Sequence, residues 1–388
     1  MEFQLSNKQR KYLGLEEVQV DWDLFQLNGE TFVYFNKDRI VKKITCNSNL
    51  YHECELDEKT IDRKILLPKT GKGKEKKLNY TTISSVTPIG IYFVYSPKGG
   101  VSIASYDTQT TFYSTYFEEA TITSFDELSN WLEDYIKTTK GEDLHELEKF
   151  KKAKRKNISY KEGDFFRFKV DRRNYGFGRV LLDVGQYKKS DTYKLSHNYG
   201  LSNLMGKAIV VKIYHIISRN KETDLIELKS RNACPSEYIM DNRLFYGEYE
   251  IIGNLALEDK ELDFPISYSK SIKRGDDKAI YIQWGKIYIE TTISKFDKYL
   301  KGINPFIEIN NPNYLIDNPY RKEGTGFSLH LKRAVLDACI KESSNHPFWE
   351  TNGYFVRFDL RNPFNHEIKK EIFDHFGLNP DAEYSENF

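Results

Sequence analysis

Four cysteines and eight histidines are the side chains of this chain best suited to bind a metal or attack a substrate. His52 and Cys54, with Cys46 upstream, could bind zinc, but no fourth ligand follows at the usual spacing. A free thiol at a strand edge is the simpler interpretation. Cys234 could act as a nucleophile with His215, although only their proximity in sequence connects them.

Hydrolase motifs are absent from the sequence. A phosphotriester hydrolase with two metals needs about four histidines with bridging carboxylates, usually including a His-x-His pair. The chain has no His-x-His pair, no HExxH, no GxSxG and no GxxxxGK[ST]. The sequence therefore predicts no catalytic residue, no metal and no cofactor.

The stretch GDFFRFKVDRRNYGFGRVLLDVG, residues 163–185, combines glycines, arginines and aromatic residues. Phe166 and Phe168 alternate with basic residues, which is typical of a strand. Gly176 and Gly178 follow inside a second strand, whereas a phosphate-binding loop needs glycines between a strand and a helix. The pattern predicts structural glycines in a curved β-hairpin that opens a barrel-like sheet.

Residues 149–156 carry six basic side chains in eight positions. Clustered Lys and Arg can bind phosphates by releasing counterions, so a nucleic-acid-binding arm is one interpretation. A solvated, partly helical linker is the other, and we favour it because charge runs are usually solvent-exposed. The net charge of +1 gives the whole chain no field that would attract nucleic acid.

Most of the chain reads as β-strands, which agrees with an aromatic content of 14%. A helix is predicted after Ser124, because Glu127 completes a capping box and apolar residues follow at helical spacing. We predict an α+β protein, mostly antiparallel, with a few packed amphipathic helices. Its predicted parts are a β-rich domain ending in a helix (1–140), a charged linker (141–157), a central β domain (158–327) and a helix-strand-helix extension (328–388).

Two segments place charged residues beside aromatic ones at turns: SEYIMDNRLFYGEY and IKRGDDKAIYIQWG. Trp, Tyr and Arg are the residue types that most often dominate protein interfaces. The residues predicted to contact a partner are Tyr238, Asp241, Arg243, Arg274, Asp276, Asp277 and Trp284.

The scattered cysteines suit reduced thiols rather than a disulfide framework. The first residues lack the apolar core of a signal peptide, and no run of about 18 apolar residues occurs. The sequence therefore predicts a cytoplasmic protein that does not cross a membrane.

In order and spacing, several segments of residues 157–327 resemble the immunity-26 family of bacterial polymorphic toxin systems. They are YKEGDFFRFKVDRRNYGFGRVLLDV, LMGKAIVVKIYH, PSEYIMDNRLFYGEYEIIGNL, LDFPISYSKSI, GDDKAIYIQWGKIYIE and NPYRKEGTGF. The resemblance implies a non-catalytic cytoplasmic protein that binds and neutralises a cognate toxin. The alternatives are a nucleic-acid-associated factor that uses the basic run and, more weakly, a phosphotriesterase-like hydrolase.

Overall fold

The computed structural model describes residues 2–118, 121–196, 198–270, 279–292, 325, 329, 331–352 and 359–388. The chain divides into two compact units, unit 1 (Met1–Asn157) and unit 2 (Ile158–Phe388). Each unit is described by itself.

Unit 1 is built around one antiparallel sheet. Its elements are α1 (Asn7–Leu13), β1 (Asp23–Gln26), β2 (Thr31–Asn36), β3 (Arg39–Asn47), β4 (Leu50–Ile61), β5 (Ile65–Leu66), β6 (Lys76–Lys77), α2 (Tyr80–Ser84), β7 (Ile89–Ser96), β8 (Gly100–Ser105), β9 (Thr110–Ser114), a 3-10 turn (Thr115–Phe117), α3 (Phe125–Thr138) and α4 (Gly141–Lys151). The strand order is β1-β2-β3-β4-β7-β8-β9, and β5 and β6 extend from β4.

The helix predicted after Ser124 is confirmed as α3. The Ser124 hydroxyl accepts a hydrogen bond from the Glu127 backbone N–H, which caps the helix. Leu128 and Leu132, one turn apart, are buried in the same core as the sheet residues. In the segment predicted as a linker, α4 buries Leu147 in that core.

Unit 2 contains two antiparallel sheets and a set of short helices. Its elements are β10 (Asp164–Lys169), β11 (Tyr175–Asp183), α5 (Val184–Tyr187), α6 (Asp191–Ser196), α7 (Tyr199–Ser202), β12 (Ala208–Ser218), α8 (Leu225–Ser230), β13 (Ala233–Met240), α9 (Asn242–Phe245), β14 (Glu250–Asn254), a 3-10 turn (Asp259–Glu261), β15 (Ile266–Lys270), β16 (Ala279–Trp284), β17 (Ile287–Thr292), α10 (Arg333–Ile340), α11 (Pro347–Asn352), a 3-10 turn (Pro363–Asn365), α12 (His366–His375) and a 3-10 turn (Ser385–Asn387).

The strand orders in unit 2 are β13-β12-β11-β10-β14 and β15-β16-β17. One core joins the two sheets and helix α12, since Leu182, Val210 and Tyr238 of the larger sheet pack in the same cluster as Trp284 and Phe373. The α+β class and the antiparallel pairing are therefore confirmed.

The barrel-like sheet predicted from the glycine-rich hairpin is not supported. Among the described strands, β13 and β14 are the two edges of the larger sheet and do not pair with each other. The described strands of this region form two sheets and not one. The irregularities in β11, between Gly176 and Gly178 and between Val180 and Leu182, change the register without closing the sheet.

The two helices predicted for the helix-strand-helix extension are present as α10 and α12. The strand predicted between them lies mainly on residues 353–358, outside the described residues. Among the described helices, none is both long enough and apolar enough to cross a membrane.

Candidate functional site

Two predicted contact residues, Asp241 and Arg243, lie where β13 ends and α9 begins. The Asp241 N–H donates to the Lys207 carbonyl at 3.0 Å, which continues the β12–β13 pairing by one residue. The Asp241 carboxylate accepts a hydrogen bond of 2.8 Å from the Tyr160 hydroxyl. Burial raises the pKa of both Asp241 and Tyr160, and Asp241 further raises that of the phenol as the acceptor of its hydrogen bond. The start of α9 is thus fixed from two sides.

We call the surface formed by Met205, Lys207, Asp241, Arg243 and Phe245 the Asp241 corner. Arg243 forms an ion pair with Glu248, and the Lys207 ammonium lies 5.4 Å from the centre of the Phe245 ring. The Met205 side chain is 63% exposed, directly before Gly206, which lies close to Met240. Met205 is exposed, whereas Arg243 and Phe245 are half-buried, and Met, Arg and aromatic side chains are enriched at protein interfaces.

The other predicted contact residues lie elsewhere. Tyr238 and Trp284 are 3% and 7% exposed and belong to the core of unit 2. The Trp284 ring packs 5.3 Å from Phe373 and 4.9 Å from Tyr384, measured between ring centres. The structure therefore gives both side chains a packing role, and a role in binding stays a prediction. Arg274, Asp276 and Asp277 lie outside the described residues.

The two glycines of the hairpin face aromatic rings across the β10–β11 pairing. Gly176 pairs with Phe168 and Gly178 with Phe166. A Cβ added at Gly176 would lie 2.6 Å from the end of the Phe168 ring, and one at Gly178 would lie 2.6 Å from the Lys212 carbonyl oxygen. The rings and the neighbouring backbone fill the space that side chains would need.

A buried ionic network that the sequence analysis missed follows directly after Gly178. The Arg179 guanidinium is fully buried and forms an ion pair with Glu261, whose carboxylate also lies 3.5 Å from the Lys212 ammonium. Arg179 donates to the Leu255 carbonyl at 2.7 Å, and its guanidinium carbon lies 4.4 Å from the centre of the Phe165 ring. The sequence feature that could have indicated this network is the single arginine inside the apolar run GFGRVLLDV.

His215, Cys234 and Cys339 form a second polar group in unit 2, in which the two cysteines are buried and His215 is half-buried. The possible ligand atoms of the three side chains all lie within 4.8 Å of one another, and the two sulfurs are 4.0 Å apart. The Cys234 thiol lowers the pKa of Cys339 by hydrogen bonding, and the same contact raises the pKa of Cys234. The structure thus brings together His215 and Cys234, which the sequence connected only loosely, and adds a third residue that the sequence did not suggest.

Unit 1 has its own buried ionic group. The Glu53 carboxylate binds the Arg10 guanidinium at 2.7 Å and the Lys42 ammonium at 2.8 Å, and it accepts a hydrogen bond of 2.6 Å from Tyr51. Burial alone would raise the pKa of Glu53, but Lys42 and Arg10 outweigh burial and lower it. All four side chains are almost entirely buried, which is typical of a structural network rather than a binding surface.

The zinc interpretation of Cys46, His52 and Cys54 finds no support in unit 1. His52 Nε2 lies 3.1 Å from the Tyr106 hydroxyl, within hydrogen-bond distance. Burial raises the pKa of the Cys54 thiol to about 11. Within the part of the chain that the structure describes, the His215 group is the one place where three such ligands meet.

Comparison with known proteins identifies the N-terminal half of unit 2. Residues 161–278 match the family model described as Imm26, immunity protein 26. An Imm26 domain therefore lies at residues 161–278. It covers β10 to β15 and includes the Asp241 corner, Arg179, His215 and Cys234. The predicted family is confirmed over this shorter span, and the N-terminal region stays unassigned.

No curated protein matches the chain, and no solved structure matches it.

Proposed function

We propose that this protein is a non-catalytic immunity protein that binds and neutralises a cognate bacterial toxin in the cytoplasm. The observation that carries the proposal is the Imm26 match at residues 161–278. The four free cysteines agree with a reducing compartment.

The Asp241 corner is the surface we propose for contact with the toxin. Arg243 is of a type that often dominates binding energy, Phe245 is of a type enriched at interfaces, and the exposed Met205 adds an adaptable apolar group. The hydrogen bond between Tyr160 and Asp241 fixes the base of this surface before binding. A surface that is already ordered loses less conformational entropy on association.

Stoichiometry distinguishes inhibition by binding from catalysis. The tagged chain, purified from the cells that produce it, should retain a protein whose toxic activity the chain suppresses. Titration of that activity should saturate at about one equivalent, with an interface of about 1,600 Å². If about a hundredth of an equivalent gives full protection, the chain is an enzyme and the hydrolase alternative replaces this proposal.

A pair of arginine variants tests the contact surface. Arg243 and Arg231 each form an ion pair with a nearby glutamate, but only Arg243 lies in the Asp241 corner. Arg243→Ala should weaken toxin binding by at least about 10-fold, as expected for an interface arginine. Arg231→Ala should leave the affinity within about twofold. Equal affinities for the two variants would place the contact surface elsewhere on the protein.

A further inference from the structure

The His215 group is assembled from three separate elements of unit 2. Cys234 of β13 pairs with Ile213 of β12, and the backbone N–H of His215, two residues further along β12, donates to Asn232 at 2.9 Å. Because side chains alternate along a strand, His215 and Cys234 lie on the same face of the sheet. Helix α10 packs against β12, and Cys339 lies in its last turn.

The distances fit a tetrahedral metal ion. Two sulfurs that each bind Zn²⁺ at about 2.3 Å are about 3.8 Å apart in tetrahedral geometry. The two sulfurs here are 4.0 Å apart, and the imidazole completes a triangle with sides no longer than 4.8 Å. An ion at the centre could therefore reach all three side chains after shifts of a few tenths of an ångström.

The surroundings also fit a ligand set. Cys234 and Cys339 are 4% and 0% exposed. Nε2 of His215 is buried and makes no hydrogen bond to a described residue outside the group of three. A buried imidazole nitrogen that lacks a strong partner costs free energy, and a metal would provide one.

We propose that His215, Cys234 and Cys339 bind one Zn²⁺ ion. Two thiolates and one imidazole are ligands that zinc prefers, and a fourth position remains for water. This inference goes beyond the proposed function and does not depend on it.

Such an ion would fasten the C-terminal helix α10 to the Imm26 domain. His215 and Cys234 lie within the matched residues 161–278, whereas Cys339 lies outside them. The site is therefore a property of unit 2 as a whole.

Cobalt binding to the reduced full-length protein tests the proposal. After removal of metals with a chelator, Co²⁺ should produce the charge-transfer absorption of sulfur ligation and the visible bands of a tetrahedral site. Both should saturate at one equivalent, and Zn²⁺ should abolish them. Cys234→Ser and Cys339→Ser should each weaken Co²⁺ binding by more than about 100-fold, because even partners outside the ligand set change metal affinity by about 10- to 100-fold.

Cys46→Ser is the matched control, since Cys46 is also a buried free thiol but lies in unit 1. It should bind Co²⁺ as the wild-type protein does. The proposal is wrong if the reduced wild-type protein shows no sulfur-to-cobalt absorption, if Cys339→Ser retains it, or if Cys46→Ser loses it equally. It is also wrong if Cys234 and Cys339 form a disulfide in air while the reduced protein binds no Co²⁺.

A measurement on the wild-type chain alone covers the case in which a variant does not fold. Zn²⁺ should slow alkylation of Cys234 and Cys339 by at least about tenfold, because a bound thiolate is a poor nucleophile. The alkylation of Cys54 in unit 1 should not change. Equal rates for Cys234 with and without Zn²⁺ would overturn the proposal.

Discussion

Gly178 of β11 pairs with Phe166 of β10, and the Phe166 ring occupies the space above the glycine. A Cβ at this position would also lie 2.6 Å from the Lys212 carbonyl oxygen, so backbone as well as side chain would have to move. We expect Gly178→Val to lower the free energy of unfolding by about 1 to 3 kcal/mol, the usual cost of overpacking. Urea unfolding of the full chain measures this change.

Gly29 provides the control for Gly178, because a Cβ added there would meet no atom within 4 Å. Gly29→Val should leave the unfolding midpoint of unit 2 unchanged. A Gly178→Val protein that kept full stability but lost toxin binding would show that the glycine contacts a ligand, contrary to the structural role predicted for it.

The buried ion pair of Arg179 and Glu261 predicts that neutralising one of its two charges strongly lowers the free energy of unfolding. Glu261→Gln removes the carboxylate that neutralises the Arg179 guanidinium, whose side chain is fully buried. Loss of one partner of a buried ion pair costs about 3 to 5 kcal/mol, because the other charge is left without compensation. Thermal and urea unfolding should both show the loss.

Glu258 lies in the same turn region and is the matched control. Its side chain is 49% exposed and contacts Lys229 and Lys260. Glu258→Gln should leave the unfolding midpoint nearly unchanged, since exposed ion pairs contribute little. Similar destabilisation by both variants would mean that burial does not determine how much the Arg179 network contributes to stability.

Burial of His52 predicts that unit 1 loses stability as the pH falls. Burial lowers the pKa of His52 to about 4, with a further effect of Lys43, whereas an unfolded histidine has a pKa of about 6.5. Between these values the unfolded chain binds more protons than the folded chain, so protonation favours unfolding. The stability is fully present above about pH 6.5 and is lost progressively as the pH falls toward 4, by about 1 to 2 kcal/mol at pH 5.

Hydrogen exchange of β4 amides between pH 7 and 5, corrected for the intrinsic pH dependence, measures this loss. His52→Gln should reduce the pH dependence, and His145→Gln, a change at an exposed histidine of α4, should not. An unchanged pH dependence in His52→Gln would assign the acid sensitivity to other groups.

The basic run at the end of unit 1 should bind nucleic acid weakly. Residues 151–157 are exposed, and such clustered charges give non-specific dissociation constants of about 10⁻⁴ to 10⁻⁶ M at physiological salt. Fluorescence titration with labelled DNA and RNA at about 150 mM salt measures the affinity. Sequence-dependent binding below about 1 µM that is lost on neutralising Lys151, Lys152 and Arg155 would instead favour the nucleic-acid alternative.

The local elements were predictable because their signals are local. Alternation along β10 and the capping residues of α3 lie within a few positions of one another, so hydrophobic period and capping chemistry identify them. It could not be predicted in this way that the larger sheet does not close into a barrel. Bulges in β11 bend a sheet, but closure depends on pairing between β13 and β14, which no short pattern specifies.

The buried polar groups depend on partners that are distant in sequence. Arg179 and Glu261 are 82 positions apart, and Cys234 and Cys339 are 105 positions apart. Their residue types were visible, but their contacts follow only from how the sheets and α10 pack. The packing partners of Trp284 could not be predicted for the same reason, because Phe373 and Tyr384 come from the C-terminal segment.

The core of unit 2 has a consequence for how an Imm26 domain could be exchanged between proteins. The matched segment ends at residue 278, yet Leu182 and Val210 within it share one core with Trp284 and Phe373 beyond it. A recombinant fragment cut at that boundary would expose an apolar face to water and would be prone to aggregate. Replacement of only the matched segment would therefore join two halves of different cores, whereas replacement of the whole of unit 2 would keep this core intact.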